Sequence, residues 1–203
     1  MKIILASNNQ GKIHEFNELF KTFEHEIIPQ SAFHVIDADE TGLTFVENAL
    51  IKARHACQLT GLPAIADDSG LAVAALNGAP GIYSARYAGK NVSAEEKNKK
   101  LLAELAVIPD DKRQASYHCV LVFMLHPKDP VPLICEGIWH GEILREPRGE
   151  KGFGFDPIFY LPGLEKSVAE LSPELKNKIS HRGKALQMLT HKLAEKLHDS
   201  TIS

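Results

Sequence analysis

The sequence predicts a mixed α/β fold, and three patterns carry that expectation. Short apolar runs such as Ile3-Ile4-Leu5-Ala6 end in a polar loop and are followed by apolar residues at helical spacing, the order strand, loop, helix. Two hydroxyl-x-x-Glu pairs, Thr44 with Glu47 and Ser93 with Glu96, mark helix starts: the hydroxyl oxygen serves a free backbone N–H and the Glu reaches back to the cap. Two longer strand-like stretches, Ala115 to Leu125 and Leu133 to Trp139, flank a Pro- and Asp-containing turn around His126 to Pro132 and read as an antiparallel hairpin.

Taken in order, the first strand, Ile3 to Ala6, leads through Ser7-Asn8-Asn9-Gln10-Gly11-Lys12 into a helix carrying Ile13, Phe16, Leu19 and Phe20 on one side. A second strand is expected at His25 to Pro29, followed by an irregular acidic stretch through Asp37, Asp39 and Glu40. The Thr44 cap opens a helix from Phe45 to Gln58, on which Phe45, Ala49, Lys52 and Ala56 share a face, so that Lys52 interrupts an otherwise small and apolar stripe. Pro63 to Ala66 reads as a buried strand that stops at Asp67-Asp68-Ser69-Gly70. The apolar run resumes from Leu71 to Leu76, which places the acids at a break between strands. A turn at Asn77 to Gly81, a helix from Ser93 through Leu105, the hairpin, a Gly-rich loop at Gly152 to Asp156 and a last helix complete the chain. That helix has Leu186, Leu189, Leu193 and Leu197 on one side and ends near Leu197.

A length of 203 residues suits one large domain or two lobes sharing a sheet, and with no repeat or linker in view the expectation is a single domain over 1–203. Hydrophobic residues make up 44% and charged residues 24%, an ordinary globular balance. A net charge of -3, with 23 basic residues scattered among 26 acidic ones, argues against a nucleic-acid groove. Cys57, Cys119 and Cys135 are far apart and odd in number, so they read as small buried hydrophobes rather than a disulfide framework or zinc site. The run after Met1-Lys2 is too short for a signal-peptide core, and no stretch approaches the ~18 apolar residues of a membrane span, so the expected setting is the reducing cytoplasm, away from membranes.

Several segments can carry chemistry. The loop Ser7 to Lys12 precedes a helix N-terminus, where free backbone N–H groups and the helix dipole suit a phosphate and Lys12 adds a mobile charge. Equally, Asn9 can cap the helix and Lys12 be solvated; a P-loop is excluded because GxxxxGK[ST] is absent. Along a strand, adjacent side chains point to opposite faces, so only one of Asp67 and Asp68 can address a given site. That acid suits Mg²⁺, which takes one or two carboxylates plus phosphate oxygens, with Glu40 as a second ligand; the alternative is an Asx turn. Lys52, on an inner helix face, costs desolvation unless it snorkels or meets an anion, and a triphosphate would supply one. Glu47 and Arg54 read as cap and solvent-facing residues, and Ser180-His181-Arg182-Gly183 as a loop entering the last helix.

The segments taken together resemble one family. Ser7-Asn8-Asn9-Gln10-Gly11-Lys12, Glu40-Thr41-Gly42-Leu43-Thr44-Phe45, Glu47-Asn48-Ala49 with Lys52-Ala53, and Ala66-Asp67-Asp68-Ser69-Gly70-Leu71 match in order. So do Gly78-Ala79-Pro80-Gly81-Ile82-Tyr83-Ser84-Ala85-Arg86-Tyr87, Gly152-Phe153-Gly154-Phe155-Asp156-Pro157-Ile158-Phe159 and Ser180-His181-Arg182-Gly183. They are similar to the RdgB-type and eukaryotic inosine triphosphate pyrophosphatases over nearly the whole chain. The first loop departs from the family, opening Ser7-Asn8-Asn9 where many members have Thr-Gly-Asn.

The resemblance implies an elongated mixed sheet flanked by helices, two lobes around a nucleotide cleft, and a homodimer. It implies Mg²⁺-dependent hydrolysis of ITP, dITP and XTP to monophosphate and pyrophosphate, which clears deaminated purines. Ser7, Asn8, Asn9, Gln10, Gly11 and Lys12 would then cradle the triphosphate, Lys52 neutralise it, and Glu40 with Asp68 hold Mg²⁺; Asp68 would also accept the proton, with Asn9 and Lys52 beside it as catalytic candidates. Ser69, Phe153, Gly154, Phe155, Asp156, Lys176, His181 and Arg182 would bind the nucleotide, Phe153 stacking on the base. Hypoxanthine and xanthine carry a carbonyl at position 6, which would accept from donors on His181 and Arg182, whereas the amino group of adenine would be opposed. A pyrophosphatase for other nucleotides and a non-catalytic nucleotide or RNA binder stacking bases on Phe153 and Phe155 are the rival readings, the second disfavoured by the mild acidity and paired carboxylates.

Overall fold

In the computed structural model, which describes residues 1–19, 25–89 and 92–199, the apolar runs become seven hydrogen-bonded strands. These are β1 (Lys2–Leu5), β2 (Glu26–Pro29), β3 (Ala64–Val73), β4 (Gln114–Met124), β5 (Leu133–Ile143), β6 (Phe159–Leu161) and β7 (Lys166–Ser167), in the order β2-β1-β3-β4-β5-β6-β7. The sheet is mixed: β1 pairs parallel with β2 and β3, with Ile4 opposite Ala64, whereas β5 with β6 and β6 with β7 are antiparallel. Helices α1 (Gln10–Leu19), α2 (Phe45–Thr60), α3 (Ala94–Glu104), α4 (Pro173–Ile179) and α5 (His181–Asp199) flank it.

The chain divides into two compact units, the first made of Met1–Asp68, Cys119–Gly137 and Arg182–Ser203, the second of Ser69–His118 and Ile138–His181. In the first, the period-2 alternation of strands sorts side chains to two faces. Ile3, Leu5, Ile65, Cys119, Leu121, Phe123 and Cys135 pack with Phe16 of α1 and Ala185, Leu186, Leu189 and Leu193 of α5. The residues between them, Ile4, Ala6, Ala64, Ala66, Val120, Val122 and Met124, pack with Ala49, Ala53, Ala56 and Cys57 of α2. With both faces covered, these strands are continuously apolar, which is why they read so clearly in the sequence. The second unit has its own core, built on Leu71, Val73, Leu101, Leu105, Tyr117, Trp139, Phe155, Ile158 and Phe159.

Both expected caps form. The Thr44 side chain accepts the Glu47 N–H, and Ser93 with Glu96 makes a complete capping box. The three cysteines are free and buried. Phe20, expected on α1, lies outside the described residues. No helix among the described residues is long and apolar enough to cross a membrane.

Four expectations are corrected. There is no break at residues 67–70: β3 runs through both acids, because cations from other elements compensate their charge. Strand β5 continues four residues past Trp139, to Ile143. Strands β6 and β7 and helix α4, of three, two and seven residues, were not expected, being too short to show a period. Residues 181–183 are not a loop but the first turn of α5; Ser180 alone, extended at φ -68 and ψ 164, separates α4 from it.

Candidate active site

The end of β1 delivers the chain into a short polar turn and then α1. Asn9 caps that helix: its Oδ1 accepts the Lys12 N–H at 3.1 Å, and its own N–H donates to Ser7 Oγ at 3.2 Å. Asn8 Nδ2 donates to Asp37 Oδ1 at 3.0 Å, and the same oxygen accepts from the buried Gln30 at 2.8 Å, so residues 7–12 are tied to the segment after β2. Gln10, Gly11 and Lys12 form the first turn of α1, where the Lys12 N–H is taken by Asn9 and the helix dipole favours an anion. The capping reading of Asn9 therefore holds, but the solvated reading of Lys12 does not, since its ammonium reaches Asp67.

Alternation along β3 sends the two acids to opposite sides. Asp67, in step with Ile65, faces α1 and α5: Lys12 Nζ pairs with its Oδ1, while Arg182 Nε at 3.0 Å and the Cys119 thiol at 3.2 Å donate to its Oδ2. Burial opposes ionisation of Asp67, but Lys12 and Arg182 outweigh it and hold the carboxyl well below the usual range. Arg182 also pairs with Glu15.

Asp68, in step with Ala64 and Ala66, faces α2. Its Oδ1 accepts from Lys52 Nζ at 2.5 Å, and the same ammonium donates to Glu40 Oε1 at 2.9 Å. Burial pushes the Asp68 carboxyl above its ordinary value despite Lys52, and the two carboxylates raise Lys52 against its own burial. Asp68 Oδ2 is buried and has no hydrogen-bond partner among the described residues. Glu40 is held there by a tight strap: Gly42 N–H donates to Asn48 Oδ1 at 2.8 Å and Leu43 N–H to Glu47 Oε2 at 2.9 Å, and a Cβ on Gly42 would lie 2.6 Å from that of Glu47.

Among the described residues no three His, Cys, Asp or Glu side chains could by themselves hold a metal ion. Glu40 and Asp68, joined through Lys52, instead fit a hard cation that takes one or two carboxylates and completes its shell with water and phosphate oxygens.

In the second unit Asp156 organises the Gly-rich turn. Its Oδ2 accepts the Phe153 N–H at 2.8 Å and Lys176 Nζ at 2.8 Å, and its Oδ1 accepts from Tyr117 OH at 3.3 Å. The Lys176 ammonium also lies 4.6 Å from the Phe153 ring centroid, and Phe153 is 38% exposed. Phe155, by contrast, is buried in the core, edge-on to Tyr87. His181 stacks on Tyr117 at 4.7 Å between centroids and 7° between planes, with Trp139 at 6.3 Å. Ser69 is half-buried on β3 directly after Asp68. Gly152 adopts φ +79, and a Cβ there would stand 2.1 Å from Asp156 Oδ2. Gly152→Ala is expected to cost roughly 1–3 kcal/mol in backbone strain alone, plus displacement of that carboxylate. Thermal unfolding checks this, and a Tm within about 1 °C of wild type would refute it.

The structure thus gathers residues 7–12, Glu40, Lys52, Asp68 and Arg182 in the first unit and residues 153–156, Lys176 and His181 in the second. Sequence reasoning missed Glu15, Asp37, Cys119, Tyr117 and Trp139 as partners. Period-2 counting on β3 and β4 would have put Cys119 on the Asp67 side; the others carry no local signal.

These features define an α/β protein whose first unit joins a capped helix N-terminus after β1 to a carboxylate pair bridged by Lys52. A model of the Ham1 family matches residues 3–192, and the chain belongs to that family. It is 56% identical over 195 residues to a dITP/XTP pyrophosphatase of Coxiella burnetii, covering 96% of this chain and 98% of the relative. A solved HAM1 protein from Coxiella burnetii superimposes with a TM-score of 0.90 at 56% identity, over 96% of this chain and 99% of that one. The Ham1 protein of Staphylococcus aureus gives 0.86 at 44% identity, over 97% and 100%.

Proposed function

We propose that this chain hydrolyses non-standard purine nucleoside triphosphates, dITP, XTP and ITP, to the monophosphate and pyrophosphate, and so removes deaminated purines from the nucleotide pool. The observation that carries the reading is the buried, unpartnered Oδ2 of Asp68 on a carboxylate that Lys52 joins to Glu40. The names of relatives matching across nearly the whole chain support the substrate class.

In this reading residues 7–12 take the triphosphate on the first turn of α1. Glu40 and Asp68 would hold Mg²⁺, which when bound would neutralise phosphate charge. Lys12 and Lys52 stabilise the charge that builds on the departing pyrophosphate. Asp68 orients the attacking water and takes its proton on Oδ2, the buried oxygen that Lys52 does not occupy. Phe153 offers its ring to the base, with Asp156 and Lys176 ordering that turn and Ser69, Gly154 and His181 completing the nucleoside set; Phe155, expected to bind the nucleotide, anchors the turn in the core instead. His181 and Arg182 are the donors assigned to the carbonyl at position 6. The chain is proposed to act as one domain over 1–203, as a homodimer, in the cytoplasm.

Incubation with Mg²⁺ and, separately, ITP, XTP, GTP and ATP tests the assignment, with products separated by chromatography. Monophosphate and pyrophosphate from ITP and XTP, with GTP and ATP nearly untouched, is the expected result. Orthophosphate release would move the cleavage point, equal use of all four would remove the base selectivity, and no turnover would refute the activity.

A further inference from the structure

Asp67 has no role in the reaction just described, yet its side chain is 0% exposed and accepts from Lys12, Arg182 and the Cys119 thiol. Lys12 Nζ pairs with Oδ1 and lies 3.4 Å from the Asp67 main-chain oxygen, so the ammonium is pinned at two points on the residue immediately before Asp68. Arg182 occupies Oδ2 at 3.0 Å and pairs in turn with Glu15, which lies three residues along α1 from Lys12 and on the same helix face. The contacts close a ring, from Lys12 through Asp67, Arg182 and Glu15 back to α1. A lysine has a long flexible stem and no rigid fork of donors, so its ammonium has a defined place only where neighbours impose one.

We propose that Asp67 is a positioning residue for Lys12: it holds the ammonium against the main chain of the residue before Asp68, within reach of the charge that develops on the leaving pyrophosphate, and so raises kcat rather than substrate affinity. The inference rests on the pyrophosphatase reading. Its signature differs from that of a bare charge. An anion beside the triphosphate site weakens binding of a polyanion, so removing it leaves KM unchanged or lower; a lost position lowers kcat. A purely structural role would scale the amount of folded enzyme and leave KM alone, and thermal unfolding under assay conditions separates that case.

The experiment measures kcat and KM on ITP for wild type, Asp67→Asn, Lys12→Gln and the double variant. Asp67→Asn is expected to lose roughly 10- to 100-fold in kcat with no rise in KM, the scale of an ångström-sized misplacement. The double variant should match Lys12→Gln, because Asp67 acts through Lys12. A kcat within about twofold of wild type, a raised KM at unchanged kcat, or a double variant clearly slower than Lys12→Gln would each overturn the inference. If Asp67→Asn fails to fold because Lys12 loses its counter-ion, the double variant, in which Arg182 still has Glu15, is compared with Lys12→Gln and decides alone. A wild type inactive on every nucleotide would instead refute the pyrophosphatase reading, and this inference with it.

Discussion

Asp68→Asn is expected to leave a folded protein that no longer releases pyrophosphate from ITP. The substitution keeps the shape of the side chain and removes its charge, and Lys52 retains Glu40 at 2.9 Å, so no buried cation is stranded. What disappears is the anionic oxygen: Asn cannot take a proton from water, and its amide is a poor ligand for a hard cation. Loss of a general base alone lowers rates by roughly 10²–10⁴-fold, and loss of a metal ligand adds to that. Steady-state assays with a thermal melt of the same sample check both halves. Near-normal turnover would remove Asp68 from its assigned role, and collapse of the fold would mean that Lys52 needs both carboxylates.

Arg182→Met should have the largest effect on stability. The guanidinium is 3% exposed, donates to Asp67 through Nε and to Glu15 through Nη1, and lies 5.8 Å from the Phe16 ring. Burial lowers its pKa, but Asp67 and Glu15 together hold it above the ordinary value, so it stays charged at any working pH. Methionine fills much of the volume but takes the guanidinium away from both Asp67, which keeps Lys12, and Glu15. Breaking a buried ion pair in this way costs roughly 3–5 kcal/mol. At ~2–4 °C per kcal/mol for a chain of this size, Tm should fall by roughly 6–20 °C. Calorimetry or circular dichroism measures it, and a shift under about 2 °C would show that Lys12 alone suffices for Asp67. The same variant bears on base choice. An unchanged preference for ITP over GTP takes Arg182 out of recognition and leaves His181 as the donor.

The parts of this protein legible in its sequence are those specified by neighbours along the chain. Strand β1, the caps at Thr44 and Ser93 and the paired long strands β4 and β5 announce themselves through periodicity or a three-residue spacing. Lys52 stood out because it breaks an apolar stripe, and it does meet carboxylates. Strand β3 is hidden for the opposite reason. Asp67-Asp68-Ser69-Gly70 looks too polar for a buried strand, and the compensating cations come from 55 residues away for Lys12 and 115 for Arg182. Local rules cannot see such partners. The elements around 159–179 are too short to carry a period, so the turn of α4 into α5 was read as loop and His181 and Arg182 as loop residues. Glu15 and Asp37 are ordinary surface acids by sequence and acquire meaning only through Arg182 and Asn8.

Strands β3, β4 and β5 each begin in one unit and finish in the other, and the first unit is assembled from three separate stretches of chain, the second from two. Neither half therefore corresponds to a contiguous piece of gene. One unit could not be acquired, lost or exchanged by a single recombination event, because every such cut divides a strand or strands a segment from the rest of its core. The two units of this chain are therefore encoded as one interleaved stretch, and a cut that separated them would leave each core without part of its strands.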